Sequence, residues 1–473
     1  MGPPTGERDM TDDAGLSFQA AREAIARRFG SGLLGAIGMV AAGAAATRVA
    51  ATIKDLVVAQ RFGTGDVLDA FLIAFALPVF LSGSFRSAFF SAFVPRFLEA
   101  GARRGPGGAS DLLATTLGAQ LAVLAALAAS LALFSGPIVA VIGSAFPPDK
   151  RELTRQLVVA LAPFVVLDGA AGMYAATLNA RGRFVTAALC AAIPPVVTLG
   201  AVASWSGRFG VYTLVGGAVA GAALEVAALA VLVRRAGMRV LPSVARPGPE
   251  GVSVLKALAI LAGGGVLMSA NTVVDQTMAT MAGAGSVSSL GFGAKIPAGV
   301  LGLAGLALGT TTLTHYAGIA AGHRWTEMAA AMRRHAVRVG LAGAAIAALL
   351  ALVSRPLVRL LFEHGSFVAE DTARVATIQA LYALQIPGFL VGIVAARCLN
   401  ALGRDRWMLA VAAGNFVLNL AGNFVLLRWI GLPGIALSTS LFYTVAAAIL
   451  LLLCRRAIRE KIRTEASAAA QTP

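Results

Sequence analysis

The chain has little of what soluble chemistry usually needs. Of its 473 residues only three are cysteine and four are histidine, and 13% are charged. Cys190, Cys398 and Cys454 lie in or at the edge of apolar runs, which argues against a disulfide framework or a zinc site. His315, His323, His335 and His364 read as loop residues without ligand spacing, so metal catalysis has no footing. No paired carboxylates, nucleophile constellation or phosphate-binding loop stands out, and an enzyme is not indicated. Aromatic residues are also scarce, at 7%. What the chain has in excess is apolar surface, 58% of residues, together with a formal net charge of +16. That apolar share is the signature of a polytopic membrane protein. The basic residues are spread through short loops rather than gathered into a patch, which excludes nucleic acid as a partner.

Charge clusters and Gly/Pro punctuation divide the chain into twelve apolar segments, near 32–60, 67–85, 111–143, 153–178, 184–206, 211–233, 254–282, 286–313, 336–362, 375–402, 407–427 and 432–454. At about 1.5 Å per residue, some 20 residues cross a ~30 Å hydrocarbon core. The expected fold class is therefore all-α and polytopic, with about twelve transmembrane helices. With the N-terminus in the cytoplasm, 26 Lys and Arg fall in inside loops and nine in outside loops. The excess of inside charge puts both termini in the cytoplasm, and lipids of the inner membrane become the surroundings. Residues 1–30 mix acids and bases with no short apolar core, so no cleavable signal peptide is evident. A helix over 17–29 would align Phe18, Ala21, Ile25 and Phe29 on one face, either as an interfacial helix or as an ordinary cytoplasmic lead-in.

An internal duplication organises the spans. Leu178-Asn179-Ala180-Arg181-Gly182-Arg183 recurs as Leu399-Asn400-Ala401-Leu402-Gly403-Arg404, an offset of 221 that also carries Gly210 onto Gly431 and Arg234-Arg235 onto Arg455-Arg456. Two matches on equivalent elements predict two parallel six-helix repeats around a central cavity, an arrangement typical of transporters. The expected layout is a cytoplasmic segment over 1–30, an N-terminal bundle over 31–235, a cytoplasmic linker over 236–253, a C-terminal bundle over 254–456 and a cytoplasmic tail over 457–473.

Charge inside the spans marks the candidate cavity. Arg48, Lys54 and Asp55 fall in the first span, Asp69 in the second, Asp168 in the fourth, Glu225 in the sixth, Asp275 in the seventh and Lys295 in the eighth. A cation at mid-bilayer costs roughly 2.5–3.5 kcal/mol on insertion scales and normally faces a partner or a wet cavity. Each also has a structural reading. Lys54 and Asp55 could neutralise one another, although neighbours on a helix point about 100° apart; Arg48 could bond a helix end; Asp69 could cap a helix after Gly63-Thr64-Gly65. Lys295 sits among Gly291, Gly293, Pro297 and Gly299, where a helix is expected to break or bend. In the eleventh span Asn415, Asn419 and Asn423 form a polar stripe at i, i+4, i+8, suited either to interhelical hydrogen bonds or, with Asp275 and Thr439, to a cation.

These residues carry a family resemblance. Arg48-Val49-Ala50-Ala51-Thr52-Ile53-Lys54-Asp55, then Arg61-Phe62-Gly63, Asp69-Ala70-Phe71, Leu77-Pro78 and Ala92-Phe93-Val94-Pro95, resemble the opening signature of the MurJ/MviN lipid II flippases, within the multidrug/oligosaccharidyl-lipid/polysaccharide exporter superfamily. Leu360-Leu361-Phe362-Glu363-His364-Gly365-Ser366-Phe367 with Glu370-Asp371-Thr372 resembles that family's loop before its tenth helix. Gly285-Ser286-Val287-Ser288 and Ala307-Leu308-Gly309-Thr310 flank Lys295 as the family's motifs flank an essential arginine. The resemblance covers roughly 31–455.

The resemblance implies an alternating-access flippase moving an undecaprenyl-pyrophosphate-linked saccharide from the inner to the outer leaflet of a bacterial inner membrane. It assigns cargo contact to Arg48, Lys54, Lys295, Asp69, Asp55 and Arg86, and a sodium site to Asp275, Asn419, Asn423 and Thr439. Sodium or the membrane potential would drive transport, with no other cofactor, and envelope-biosynthesis proteins are the expected protein partners. The sequence departs from the family in four ways. Ser82-Gly83 stand where the family has an arginine pair, with Arg86 nearby; Lys54 and Lys295 stand where it has arginines; Ala294 replaces a frequent acid; and two further helices typical of the family do not follow the twelfth span. Lysine offers a point charge rather than a planar fork. An exopolysaccharide precursor therefore fits as well as lipid II, and a cation-coupled multidrug exporter or a transport-inactive scaffold stand as the alternatives.

Overall fold

The computed structural model describes residues 33–243 and 248–469. The 17–29 helix expected from sequence lies outside them. In the bilayer a backbone must satisfy its own hydrogen bonds, and among the described residues every regular element is helical. In chain order these are α1 (Leu33–Phe62), α2 (Asp66–Leu133), α3 (Ser135–Ile142), α4 (Pro148–Ala180), α5 (Phe184–Cys190), α6 (Ile193–Phe209), α7 (Tyr212–Arg235), α8 (Pro249–Ala279), α9 (Ser286–Ala321), α10 (Trp325–Leu352), α11 (Ser354–Phe362), α12 (Ala369–Ala383), α13 (Gln385–Ala401), α14 (Asp405–Ile430) and α15 (Pro433–Ala469), with a 3₁₀ turn at Thr280–Ala282. Nine helical stretches among the described residues are long and apolar enough to cross a membrane, α5 with α6 and α12 with α13 each forming one stretch. The chain is thus an all-α polytopic membrane fold.

α2 folds back on itself. Gly105 takes φ +69°, ψ −172°, and Pro106 follows it. A residue before proline is pushed out of the α region, and glycine reaches positive φ without a Cβ clash. The two legs then pack together: Phe93, Phe97 and Ala100 share a buried cluster with Ala109, Leu113 and Leu117.

The offset seen in the sequence reappears in the helix boundaries. α4 starts at Pro148 and α12 at Ala369; α4 ends at Ala180 and α13 at Ala401; α6 ends at Phe209 and α14 at Ile430; α7 starts at Tyr212 and α15 at Pro433. Each pair is 221 apart. The turns match in detail, because Gly182 and Gly403 have φ of +75° and +68°, and Gly210 and Gly431 have φ of +54° and +69°.

One end of the molecule is sealed between the first and second halves of the chain. Val58, Leu68 and Phe71 pack in one cluster with Phe292, Phe362 and Phe367, and Ile73 and Phe146 pack with Val287, Leu290 and Tyr382. Backbone closes the same seam, with Ser366 N donating to Gln60 O at 2.8 Å. Gly63 and Gly365 make that approach feasible, since a Cβ at either would fall 2.4 Å from the carbonyl oxygen of Ser366 or Gln60.

Two local expectations are corrected. α9 continues through Lys295 and Pro297 without a break. Proline keeps a helical φ and costs one hydrogen bond, and α9 is held against α12, where a Cβ at Gly293 would stand 2.6 Å from Ile378 Cγ2. His315 and His335 are helical rather than in loops, their rings 5.3 Å apart between α9 and α10. Among the described residues no group of three His, Cys, Asp or Glu is disposed to hold a metal, and the three cysteines are buried free thiols.

Candidate functional site

A cavity of about 590 Å³ lies between α1 and α2 on one side and α9 on the other, with Lys54, Asp55 and Lys295 on its wall. Asp55 bridges the two lysines, Oδ1 lying 2.8 Å from Lys54 Nζ and Oδ2 2.7 Å from Lys295 Nζ. The local pairing of Lys54 with Asp55 that the sequence allowed is present, the four-carbon lysine stem curling back across the angle of about 100° between helix neighbours. The rest of the wall is largely apolar, including Phe71, Phe75 and Phe164. The result is a greasy chamber with two ammonium groups and one carboxylate, a net positive site. Lys295 remains 47% exposed in its side chain, so it can meet another anion.

Arg48 stands nearly two helical turns from Lys54 on α1 and is exposed. Its guanidinium lies against α9, where a Cβ at Gly302 would come within 2.9 Å of Nη2.

Asp69 is fully buried at the sealed end and outside the cavity. Its Oδ1 accepts from both the amide and the hydroxyl of Ser288, at the start of α9, and its Oδ2 accepts from Lys150 Nζ at 3.0 Å. Lys150 also reaches Asp66 Oδ1 at 2.6 Å. Lys150 reads from sequence as an outside-loop charge, yet its side chain is 7% exposed. The signal for it was the pair Asp66 and Asp69, three residues apart on one face and in need of a cation. Nearby, the Thr64 hydroxyl donates to Asp371 Oδ1, adding a side-chain bond across the seam.

Arg86 lies within the first half, 2.9 Å from Asp168 Oδ1 and 3.6 Å from Glu225 Oε1. Gly172 makes room for it, since a Cβ there would fall 2.6 Å from Arg86 Cγ. Three spans are tied by one guanidinium.

Asp275, Asn419, Asn423 and Thr439 come together in the second half, all buried. Asn423 Nδ2 donates to Asp275 Oδ1 at 2.6 Å and to Asn419 Oδ1 at 2.7 Å, and Thr439 Oγ1 lies 3.4 Å from Asp275 Oδ2. Asn423 Oδ1 and Asn419 Nδ2 are buried without a partner. Turning the Asn423 amide about its axis would set Oδ1 against the oxygens of Asp275 and Asn419, a repulsive cluster that a cation would relieve. An all-oxygen, singly acidic and dry donor set fits a hard monovalent cation. Asn415 stands apart from the set, lining a surface groove with Trp407 and Leu418.

A family profile described as "Lipid II flippase MurJ" matches residues 58–470, beginning just after Arg48, Lys54 and Asp55. The chain is 31% identical over 357 residues to "Probable lipid II flippase MurJ" of Rhizobium meliloti (strain 1021), covering 73% of this chain and 66%, just under two thirds, of that relative. It is 26% identical over 425 residues to the protein of the same description in Synechocystis sp. (strain ATCC 27184 / PCC 6803 / Kazusa), covering 85% and 78% of the two chains. Among solved structures, "Lipid II flippase MurJ, inward closed conformation" superposes with a TM-score of 0.74 at 20% identity over 89% of each chain. An inward-facing multidrug resistance MATE family transporter of the MOP superfamily gives 0.71 at 13% identity, over 88% of this chain and 95% of that one. These likenesses are of fold.

Proposed function

Since this chain belongs to the lipid II flippase MurJ family, we propose that it carries an undecaprenyl-pyrophosphate-linked saccharide, lipid II or an exopolysaccharide precursor, from the inner to the outer leaflet of a bacterial inner membrane. Membership makes it a transporter rather than an enzyme. The observation that carries the cargo assignment is the bridge of Lys54 and Lys295 by Asp55 inside the cavity. One carboxylate leaves that site with an excess positive charge in an apolar chamber. A diphosphate satisfies it better, since it brings more charge and more acceptor oxygens than Asp55.

The working cycle is alternating access between two parallel six-helix repeats. Counting the α2 hairpin as two crossings and adding α1 and α8 to the apolar stretches gives twelve spans, both termini falling in the cytoplasm. Lys54 belongs to one repeat and Lys295 to the other, so an anion held by both couples their approach. Asp69, Lys150 and Ser288 hold the outer end shut until that coupling changes. The resident Asp55 partly neutralises the lysines and keeps them oriented between turnovers, and Arg86 braces the first repeat through Asp168 and Glu225. Sodium, held by Asp275, Asn419, Asn423 and Thr439, would supply positive charge inside the second repeat. Within that set Asp275 offers the charge, and the two asparagines and Thr439 offer the neutral oxygens.

The test is rescue of cells depleted of their own lipid II flippase, run beside an exopolysaccharide-export assay in the native host. Rescue lost on Lys54→Ala and Lys295→Ala supports lipid II as cargo. Rescue unaffected by both substitutions would sink the assigned contact, and export without rescue would assign the exopolysaccharide precursor.

A further inference from the structure

The space available to a cargo does not end at the chamber of the two lysines. A second pocket, of about 310 Å³, lies between α2 and α8, and Leu72, Phe75 and Gln276 line both spaces. From that junction the pocket follows α2 to Gly83 and Ser84, with Thr272 on the α8 side. The stretch of α2 from Leu72 to Ser84 is roughly 18 Å long.

The chemistry of this pocket differs from that of its neighbour. Lys54, Asp55 and Lys295 line the chamber, whereas no residue lining the second pocket is charged. Its wall is mostly apolar, with the rings of Phe75 and Phe80, and carries a few polar groups, the usual composition of a site that orients a small molecule. Two of those groups are unsatisfied: Ser84 Oγ and Gln276 Oε1 are buried without a hydrogen-bonding partner, and Ser84 as a whole is 4% exposed. A buried polar atom left unpaired costs the desolvation of that group, and two of them beside one pocket call for a ligand that supplies the bonds. Gly83 is one of the two small residues that stand where the resemblance places an arginine pair, and a Cβ there would meet nothing within 4 Å. At this turn of α2 the chain offers open space and no cation.

We propose that the pocket between α2 and α8 is the subsite for the cargo's saccharide head, that it takes a neutral sugar, and that Gln276 and Ser84 read its hydroxyls. This rests on the flippase reading and adds to it the chemistry of the head group. A sugar ring carries hydroxyls around its rim and C–H groups on its faces. The faces lie against Phe75 and Phe80, one hydroxyl donates to Gln276 Oε1, and Ser84 Oγ exchanges a hydrogen bond with another. With the diphosphate on Lys54 and Lys295, Gln276 stands where the two spaces meet. Other occupants fit less well. A hydrocarbon chain would leave both oxygens unpaired, an acidic head would meet no cation, and a cationic drug would meet no carboxylate.

The test is displacement of a fluorescent geranyl diphosphate from the purified full-length chain in non-ionic detergent, with size exclusion and melting as controls for folding. The competitors are geranyl diphosphate, the same molecule carrying one neutral hexose on its diphosphate, and geranylgeranyl diphosphate. The quantity read is the affinity ratio of two competitors within each variant, which cancels any general loss of binding. The wild-type chain should prefer the hexose conjugate to geranyl diphosphate by about tenfold. Gln276→Leu and Ser84→Ala should each reduce that preference by about three- to tenfold, the loss expected for one hydrogen bond. Gly83→Leu, which fills the open turn, should abolish it. Lys295→Gln should weaken both competitors and keep their ratio. A wild-type chain with no preference for the hexose, or a preference that survives both Gln276→Leu and Gly83→Leu, would overturn the subsite while leaving the flippase reading intact. Gly83→Leu that removes instead a preference for geranylgeranyl over geranyl diphosphate would assign the pocket to the prenyl chain and overturn it as a sugar site. A wild-type chain that binds none of the diphosphates would overturn both readings.

Discussion

Ser288 donates both its amide hydrogen and its hydroxyl to Asp69 Oδ1, each at 2.8 Å, across 219 residues of sequence. The start of α9 is thereby pinned to the first turns of α2, and Lys150 neutralises the carboxylate from its other side. A negative charge at a helix N-terminus is also favoured by the exposed amides there.

Asp69→Asn keeps the shape and removes the charge, leaving Lys150 with Asp66 alone. Removing one partner of a buried pair costs up to about 3–5 kcal/mol. The expected outcome is a clear fall in the melting temperature of the purified protein. Asp69→Asn together with Lys150→Met should recover part of that loss, because the unpaired ammonium is gone. A melting temperature unchanged in the single variant would mean that the pair does not hold the seal.

The glycine clasp gives a second prediction. Gly63 at φ +58° and Gly365 at φ +63° face Ser366 O and Gln60 O at distances no Cβ tolerates. Gly63→Ala and Gly365→Ala should each open the sealed end, at a cost of about 1–2 kcal/mol for the αL backbone alone. Cysteines placed at Gln60 and Ser366 report it: crosslinking should be fast in the parent and several-fold slower in either alanine variant. Equal rates would mean that the seal is held elsewhere, by the aromatic cluster of Phe292, Phe362 and Phe367.

The sequence was most legible where one helix decides the outcome. Apolar runs and glycine punctuation locate the spans, and the 221-residue offset anticipates helix ends such as Ala180 and Ala401. The stripe of Asn419 and Asn423 was readable for the same reason, since i and i+4 share a face. Contacts between distant spans were not readable. Asp55 meets Lys295 only because α1 and α9 are rotated toward each other, and no local pattern encodes that angle. Lys150 was missed because charges flanking a span look like loop charges until the hairpin of α2 brings Asp66 and Asp69 beside it. Pro297 misled in the opposite direction, as tight packing at Gly293 and Ile378 keeps α9 continuous.

Arg86 yields a prediction that separates bracing from cargo contact. Its partners, Asp168 and Glu225, lie on α4 and α7, and Glu225 is 2% exposed. Arg86→Ala should lower the melting temperature steeply, because it leaves two carboxylates facing each other in a dry interior. Arg86→Ala with Asp168→Asn and Glu225→Gln should regain stability and binding of the fluorescent diphosphate. Loss of binding in the triple variant, at restored stability, would show instead that Arg86 touches the cargo.

The buried set at Asp275 predicts a sodium response that can be read without transport. A cation bound only by the folded state raises stability by RT ln(1 + [L]/Kd), about 2.7 kcal/mol at a hundredfold excess over Kd. Melting in sodium chloride should therefore exceed melting in choline chloride at equal ionic strength. Asn423 Oδ1, buried without a partner, is the oxygen that turns toward the ion. Asp275→Asn removes the only carboxylate of the set, and Asn423→Ala removes that oxygen, so each should abolish the difference between the two salts. Reading the difference within each variant removes any general loss of stability from the comparison. Asn415→Ala, outside the set, should keep the full sodium effect. A wild-type chain that melts alike in both salts would leave the four residues as an interhelical hydrogen-bond network and rule out sodium as the coupling ion.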